Sequence, residues 1–526
     1  MKKKEKKELL QKALDAHHSG KLDVADEIYI MILESDKLDF DANHLHGAVL
    51  SQNKKYAEAI KFFAVAYENS KPTCELLNNY AIALRNLRAF TECEKMLKEA
   101  ISIDHNFANS YLNLSNCYIS QEKYIEAIDI LEKSINLNLN RTRCLLDIVS
   151  ILFLNYQNDF NKDDLIKLKD NLEILSESMD GNTISKVALI YHNINEIEKS
   201  LKLFKKSEKI FSDSVPSVIN LKNISKKSVI QNFIKHEYEQ IKHIDSDMDG
   251  IRNMKITQAF YNTLEKLTTT EPDIYCDDDY EFISNLHKIK YNKPPKISGP
   301  YINQSLNFSH IENTYCSSNP EVVIIDNFLS DDFLNELQVF FRCANIFKYP
   351  YSRGYIGAFL GKGMANRPLL EFSDELKKSF KKIFTNHYLS QAWAFKYDSK
   401  QEGIGIHADD ARVNVNFWIT DSSSNKNPQN GGLIVWKKTP NLNGKIGDRM
   451  APVHGKPGRW KVIINGKKYS IHEKNLKDTS TLFRIQVFLS NMFVEIKHYE
   501  EKSSIKTPYR LQVHCDIQKL RKTFKF

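Results

Sequence analysis

The sequence has no long apolar run. Its most apolar stretch, Leu145 to Leu154, is interrupted by Asp147 and is too short to cross a bilayer. A secretory leader is not expected: Lys2, Lys3, Lys4, Lys6 and Lys7 are followed by Glu8 to Lys12 with mixed helical polarity, where an apolar segment is needed. No C-x-x-C spacing occurs among Cys74, Cys93, Cys117, Cys144, Cys276, Cys316, Cys343 and Cys515, so neither a zinc site nor a thioredoxin-like motif is supported. Charge of one sign does not dominate. Basic residues number 74 and acidic ones 66, a net +8 over 526 residues, and no basic run is interleaved with aromatics, so no nucleic-acid partner is expected. Gly361-Lys362-Gly363 lacks the spacing of a phosphate loop, Gly466-Lys467-Lys468 lacks its upstream glycine, and no G-x-S-x-G elbow appears. A soluble cytoplasmic chain with no membrane contact is the expectation.

What is present is ordinary globular material: 42% hydrophobic, 27% charged and 11% aromatic, long enough for about three or four units. Self-similarity organises the first half. Ala13, Gly47, Ala81 and Ser115 are 34 residues apart. The same interval separates Ala25, Ala59, Cys93 and Ala127; Tyr29, Phe63, Leu97 and Leu131; and Ile32, Ala66, Ala100 and Ser134. A small residue in a first helix, a small one opening a second, then a large one, then mostly small ones, resembles the tetratricopeptide repeat. Small residues let the paired helices approach, and the large one fills the space between layers. A weaker copy follows with Ala188, Tyr191, Ser200, Phe204 and Ser207. Ala188 lies 73 positions after Ser115, five more than two periods, which a degenerate repeat with an insertion near Gln157 to Asp164 accounts for. Four cysteines fall in these repeats, where a small apolar group is wanted, and read as reduced packing residues.

One repeat cannot bury its face alone, so repeats stack into a solenoid with a concave surface suited to a protein or peptide partner. The other reading is a scaffold or dimer interface without a peptide ligand. Asn79 and Asn113 share a first-helix position; they suit a peptide backbone, or they are solvated polar positions. Residues from about Val215 to Leu267 read as helix, with Ile230, Phe233 and Ile234 at helical spacing. Composition then changes through Glu271-Pro272, the acidic run 276–280, and the proline-glycine segment 293–300, a natural boundary. The expected organisation is a repeat solenoid over 1–215, a helical cap and linker over 216–315, and a β-rich domain over 316–526.

In that last region, Val322 to Ile325 reads as a strand, and Ser330 caps a helix with Phe333, Leu334, Leu337 and Phe341 on its apolar face. Further strands are expected at Ala392–Tyr397, Asn414–Ile419, Leu433–Trp436, Arg484–Phe488 and Leu511–His514. Many short strands behind one helix suggest a double-sheet jelly roll. In a strand, His407 and Asp409 face one way, and an imidazole with a carboxylate supplies two of the three ligands of the facial iron(II) triad. The stretches 391–398 (QAWAFKYD), 403–409 (GIGIHAD), 413–420 (VNVNFWIT) and 431–436 (GGLIVW), with 328–330, 355–359 and 367–370 upstream, resemble the oxygenase domain of bacterial tetratricopeptide-repeat 2-oxoglutarate dioxygenases. The likeness covers about residues 320–515.

That resemblance implies a multidomain α + β chain, a helical solenoid followed by a double-stranded β-helix. It implies iron(II) and 2-oxoglutarate as cofactors and oxidation of a substrate C–H bond. It places His407 and Asp409 as metal ligands. The third ligand belongs in a segment like F-x-S-D-L-F-H. Here residues 488–494 read FLSNMFV, so Val494, which has no lone pair, stands at that place. His498 is the nearest substitute; His514 is a more distant one, otherwise a packed or surface histidine. Arg510 matches the basic residue that pairs the co-substrate carboxylate, for which a guanidinium offers two parallel hydrogen bonds, and is otherwise a strand-end surface arginine. Tyr397 and Asn416 are the pocket-lining candidates. Two functions follow: a dioxygenase-like protein hydroxylating a protein or peptide recruited by the repeats, or a catalytically degenerate dioxygenase fold used as a protein-binding scaffold.

Overall fold

A computed structural model describes residues 3–156, 162–224, 226–244, 256–318, 323–352, 355–384, 387–397, 413–419, 460–464, 467–471 and 507–516. The chain divides into two compact units, Met1–Leu175 and Ser176–Phe526.

Helices of the first unit come in pairs set by the period. They are α1 (Lys3–His18) and α2 (Leu22–Ser35), α3 (Phe40–Gln52) and α4 (Tyr56–Asn69), α5 (Cys74–Asn86) and α6 (Phe90–Ile103), α7 (Ala108–Ile119) and α8 (Tyr124–Asn136). Helices α9 (Arg141–Tyr156) and α10 (Lys162–Ser176) occupy the interval assigned to a degenerate repeat. Side-chain caps open two first helices: Asp39 accepts from the Ala42 amide at 2.8 Å and Thr73 from the Leu76 amide at 3.2 Å.

Each first helix ends by one device. The residue after its last turn is left-handed: Gly20 at φ 74°, Lys54 at 60°, Arg88 at 61° and Glu122 at 61°. The next amide reaches five residues back, Lys21 to Ala16, Lys55 to Leu50, Ala89 to Leu84 and Lys123 to Tyr118, at 2.8–3.0 Å. This is the long bond of a Schellman turn, which satisfies an orphan carbonyl and reverses the chain into the second helix.

All the period-34 columns are buried, and the fifteen members other than Gly47 are at most 1% exposed. At Gly47 a Cβ atom would come within 2.7 Å of the Phe63 ring, so the smallest first-helix residue lies against a phenyl group. Burial of each large column member contributes roughly 1.5–3 kcal/mol.

The second unit opens with another hairpin of the same design, α11 (Gly181–Asn193) and α12 (Ile197–Asp213). Asn195 is left-handed at φ 64°, Glu196 donates to the Tyr191 carbonyl at 2.8 Å, and Ala188, Ser200, Phe204 and Ser207 are buried. The repeat signature thus continues past residue 175, in a hairpin that belongs to the second compact unit. Two helices follow, α13 (Val218–Lys222) and α14 (Lys227–Ile244).

Strands β1 (Tyr349–Tyr351), β2 (Tyr355–Phe359), β3 (His387–Tyr397), β4 (Val413–Trp418) and β7 (Thr507–Asp516) form one sheet in the order β1-β2-β3-β7-β4. Pairing is antiparallel from β1 to β3, and β7 runs parallel to both β3 and β4. Strands β5 (Trp460–Ile464) and β6 (Lys467–Ile471) make a separate antiparallel ribbon. Three expected strands coincide with β3, β4 and β7. The expected strands at Leu433–Trp436 and Arg484–Phe488 lie outside the described residues. Among the described residues there is one mixed five-stranded sheet and that ribbon, and two facing jelly-roll sheets are not traced.

The strand expected over Val322 to Ile325 is not formed by its described residues, Val323 to Ile325. Val323 and Ile325 are buried as irregular chain, and the nearby bridge joins Ile302 to Leu329 instead. The helix after it is as expected: Ser330 accepts from the Phe333 amide and caps Asp331–Cys343, with Phe333, Leu337 and Phe341 buried.

Helices cover one face of the sheet. Phe417 lies 5.9 Å from the Phe328 ring and 5.3 Å from Phe372, and Lys396 reaches Gln240 of α14. The other face carries a cluster of Tyr351, Tyr355, Phe359, Trp393 and Phe395. Asn193 of α11 donates to the Leu389 carbonyl at 2.9 Å and accepts from its amide at 3.0 Å. That side-chain amide serves Leu389 where the β3–β7 register shifts.

Candidate functional site

Two candidate surfaces are defined, one per unit. In the first, consecutive first helices are joined by a repeated polar contact. The Asn79 amide lies 3.0 Å from His44 Nε2, and the Asn113 amide donates to Asn78 Oδ1 at 2.8 Å; each pair is 35 residues apart. Asn78 also donates to Ser110 Oγ and to the Cys74 carbonyl, both at 2.8 Å. Asn79 and Asn113 are therefore not simply solvated: neighbouring helices fix their amides, while both side chains stay half-buried. Burial lowers the pKa of His44 despite Glu75 and Asp41, which keeps a neutral ring next to Asn79.

In the second unit, register relates the predicted pocket residues. Asn416 pairs with Gln512, Arg510 with Gln391 on one side and Asn414 on the other, and Tyr397 with Asp516. Since side chains alternate, Tyr397, Asn416 and Arg510 stand at positions of one sheet face, the face of Trp393 and Phe395. His514 shares that parity. Asn416 is buried. His407, Asp409, Val494 and His498 lie outside the described residues. Among the described residues, no group of three His, Cys, Asp or Glu side chains is placed to hold a metal.

A buried ionic cluster on the opposite face was not anticipated. Lys348 Nζ donates to both Glu237 carboxylate oxygens at 2.8 Å and to the Leu286 carbonyl at 2.7 Å, and Asn345 donates to Glu237 at 3.0 Å. Lys396 Nζ reaches Gln240 and lies 4.2 Å from the centre of the Phe347 ring. Burial pushes the Glu237 carboxyl up and the Lys348 ammonium down, and each charge pulls the other back toward its ionised form. The sequence signal was there: His236, Glu237 and Gln240 interrupt the apolar face made by Ile230, Phe233, Ile234, Ile241 and Ile244 in α14.

A histidine, a serine and an aspartate also meet, in the wrong geometry for nucleophilic catalysis. His192 Nε2 is 2.9 Å from Ser373 Oγ and 3.5 Å from Asp374 Oδ1, so both partners crowd one nitrogen. A relay needs them on opposite nitrogens.

The stacked hairpins define the class of the N-terminal part: a helical array of the tetratricopeptide type. Residues 108–141 match the family model of the tetratricopeptide repeat. Over 218 residues the chain is 25% identical to a DnaJ homolog subfamily C member 7 homolog of Dictyostelium discoideum, covering 40% of this chain and 39% of that one. The match thus spans well under half of that relative. Among solved structures, a tetratricopeptide repeat protein from Parabacteroides merdae is 18% identical, covering 50% of this chain and 99% of that one at a TM-score of 0.33. The Pseudomonas aeruginosa protein pilF is 16% identical, covering 40% and 93% at 0.32. No helix among the described residues is long and apolar enough to cross a membrane.

Proposed function

We propose that this chain is a protein-binding scaffold in which a tetratricopeptide array joins a dioxygenase-like C-terminal region that has lost a metal ligand. The repeat of His44–Asn79 and Asn78–Asn113 carries this reading. It sets polar groups at a regular step along the first helices, which suits an extended segment of a protein partner on the concave face. Panning a random peptide library against the full chain tests it. Enriched peptides are expected to bind roughly tenfold more weakly to the Asn79→Ala/Asn113→Ala variant, the loss of about one or two hydrogen bonds. Equal affinity for both proteins would remove the first-helix face from the account.

A second reading, an active 2-oxoglutarate and iron(II) dioxygenase hydroxylating the recruited partner, is favoured by one observation. Tyr397, Asn416 and Arg510, singled out from separate stretches, share one face of three neighbouring strands. Arg510 would pair the 2-oxoglutarate carboxylate, and His407 with Asp409 would hold the iron. The donor set falls one short of a facial triad, because a hydrocarbon stands at Val494. With that set, a decayed pocket is the better account. Iron(II) affinity and succinate release from 2-oxoglutarate discriminate the two. A silent parent that gains turnover on Val494→His supports the decayed pocket. Turnover in the parent that disappears on His407→Ala makes it an enzyme, with His498 the next ligand to replace.

A further inference from the structure

The period-34 register supplies an internal control for one pair of cysteines. A residue near the start of each second helix has a counterpart 24 positions on, in the next first helix. These pairs are Ala25 with Val49, Ala59 with Ala83, Cys93 with Cys117, and Ala127 with Ile151. All eight residues are buried, on adjoining helices. Three seams are closed by apolar side chains. The α6–α7 seam alone carries a thiol from each side. One cysteine would satisfy the requirement for a small buried group; alanine does so at Ala59 and Ala83.

Cys117 also reaches across that seam, its sulfur lying against the backbone of α6 one turn before Cys93. Each thiol acts on the other, pushing the Cys93 thiol up and holding the Cys117 thiol down against its burial. Gln121 Nε2 lies 3.5 Å from the Cys117 sulfur, a second donor favouring its thiolate, and Cys117 Sγ is 3.8 Å from the Phe90 carbonyl.

We infer that Cys93 and Cys117 are a redox pair that a hydroperoxide closes into a disulfide, stapling the third hairpin to the fourth. The Cys117 thiolate attacks a peroxide oxygen, the O–O bond breaks, and the departing oxygen leaves as water after taking up a proton. Cys93 then displaces the remaining oxygen from the resulting sulfenic acid as a second water. Two thiols and one hydrogen peroxide become one disulfide and two waters. The staple lies in the repeat interface spanned by the Asn78–Asn113 bond, so oxidation fixes the spacing of that ladder. This inference does not depend on the dioxygenase reading.

The test uses the full chain treated with hydrogen peroxide, quenched with maleimide after unfolding, and digested with trypsin without reductant. Peptides Ala89–Lys95 and Glu99–Lys123 are expected as one linked species, two hydrogens lighter than their sum and separated by dithiothreitol. Cys93→Ala and Cys117→Ala, which copy the Ala59 and Ala83 seam, should each abolish it. The oxidised parent should melt at a higher temperature than the reduced one, and oxidised Cys93→Ala should not. Exposed Cys276 and Cys316 report that the oxidant acted. If those two are oxidised while Cys93 and Cys117 are recovered as free thiols, the inference is wrong. A linked pair with no gain in melting temperature would overturn the stapling role.

Discussion

His192 is kept neutral by where it sits. Its ring is 1% exposed, Ser373 Oγ lies at Nε2, and burial, with Lys377 adding, lowers its pKa from 6.5 to about 4. A pKa depressed on folding means that the unfolded chain binds the proton more readily. The stability of the neutral ring is fully present above pH 6.5 and is lost as pH falls toward 4, by up to about 3 kcal/mol for a shift of this size. Urea unfolding of the full chain at pH 7 and at pH 4.5 checks this. His192→Gln, which keeps a hydrogen-bonding group but cannot charge, should lose less on acidification than the parent; an equal loss would place the acid sensitivity elsewhere. Single residues were only partly legible beforehand. Columns such as Phe63 declared themselves by period, whereas Glu237 finds Lys348 across 111 positions, a partnership with no local pattern.

Turns connect residue to element. The left-handed position after each first helix holds glycine at Gly20 and asparagine at Asn195, both suited to it, but Lys54, Arg88 and Glu122 in the other hairpins. A side chain bearing Cβ is strained there by roughly 1–2 kcal/mol, partly offset by the extra freedom glycine has when unfolded. Lys54→Gly, Arg88→Gly and Glu122→Gly should each therefore raise stability by about 0.5–1 kcal/mol in denaturant titration. A loss in all three would mean these side chains make contacts worth more than the strain. The same turns show why element reading works for the repeats and fails at Val322 to Ile325. Helical hairpins are declared by spacing over many residues. A four-residue β-branched run suits a strand or a buried irregular segment equally, and at Val323 and Ile325 it is the latter.

Across the whole molecule, division into two compact units predicts that damage stays local. A Cβ at Gly47 would press on the buried Phe63 ring, so Gly47→Ala should cost about 1–3 kcal/mol in the first unit. Glu237→Gln leaves Lys348 buried without its counter-charge and should cost about 3–5 kcal/mol in the second. Hydrogen exchange on the full chain should show faster exchange in α3 to α6 for the first variant and in α14 and β3 for the second. Each unit should be unmoved by the other's substitution; spread of either effect across both would show a single cooperative body.

The amino-acid order by itself determined the repeat array, because steric size at a fixed period is a local property that each hairpin expresses through its own contacts. It also singled out Tyr397, Asn416 and Arg510 as pocket candidates. Only the tertiary structure decided that these three share a sheet face, that β7 runs between β3 and β4, and that two lysines are buried with a glutamate under the sheet. Strand order, and pairing between charges more than a hundred residues apart, depend on which surfaces meet after the chain has folded back on itself. Sequence spacing carries no term for that.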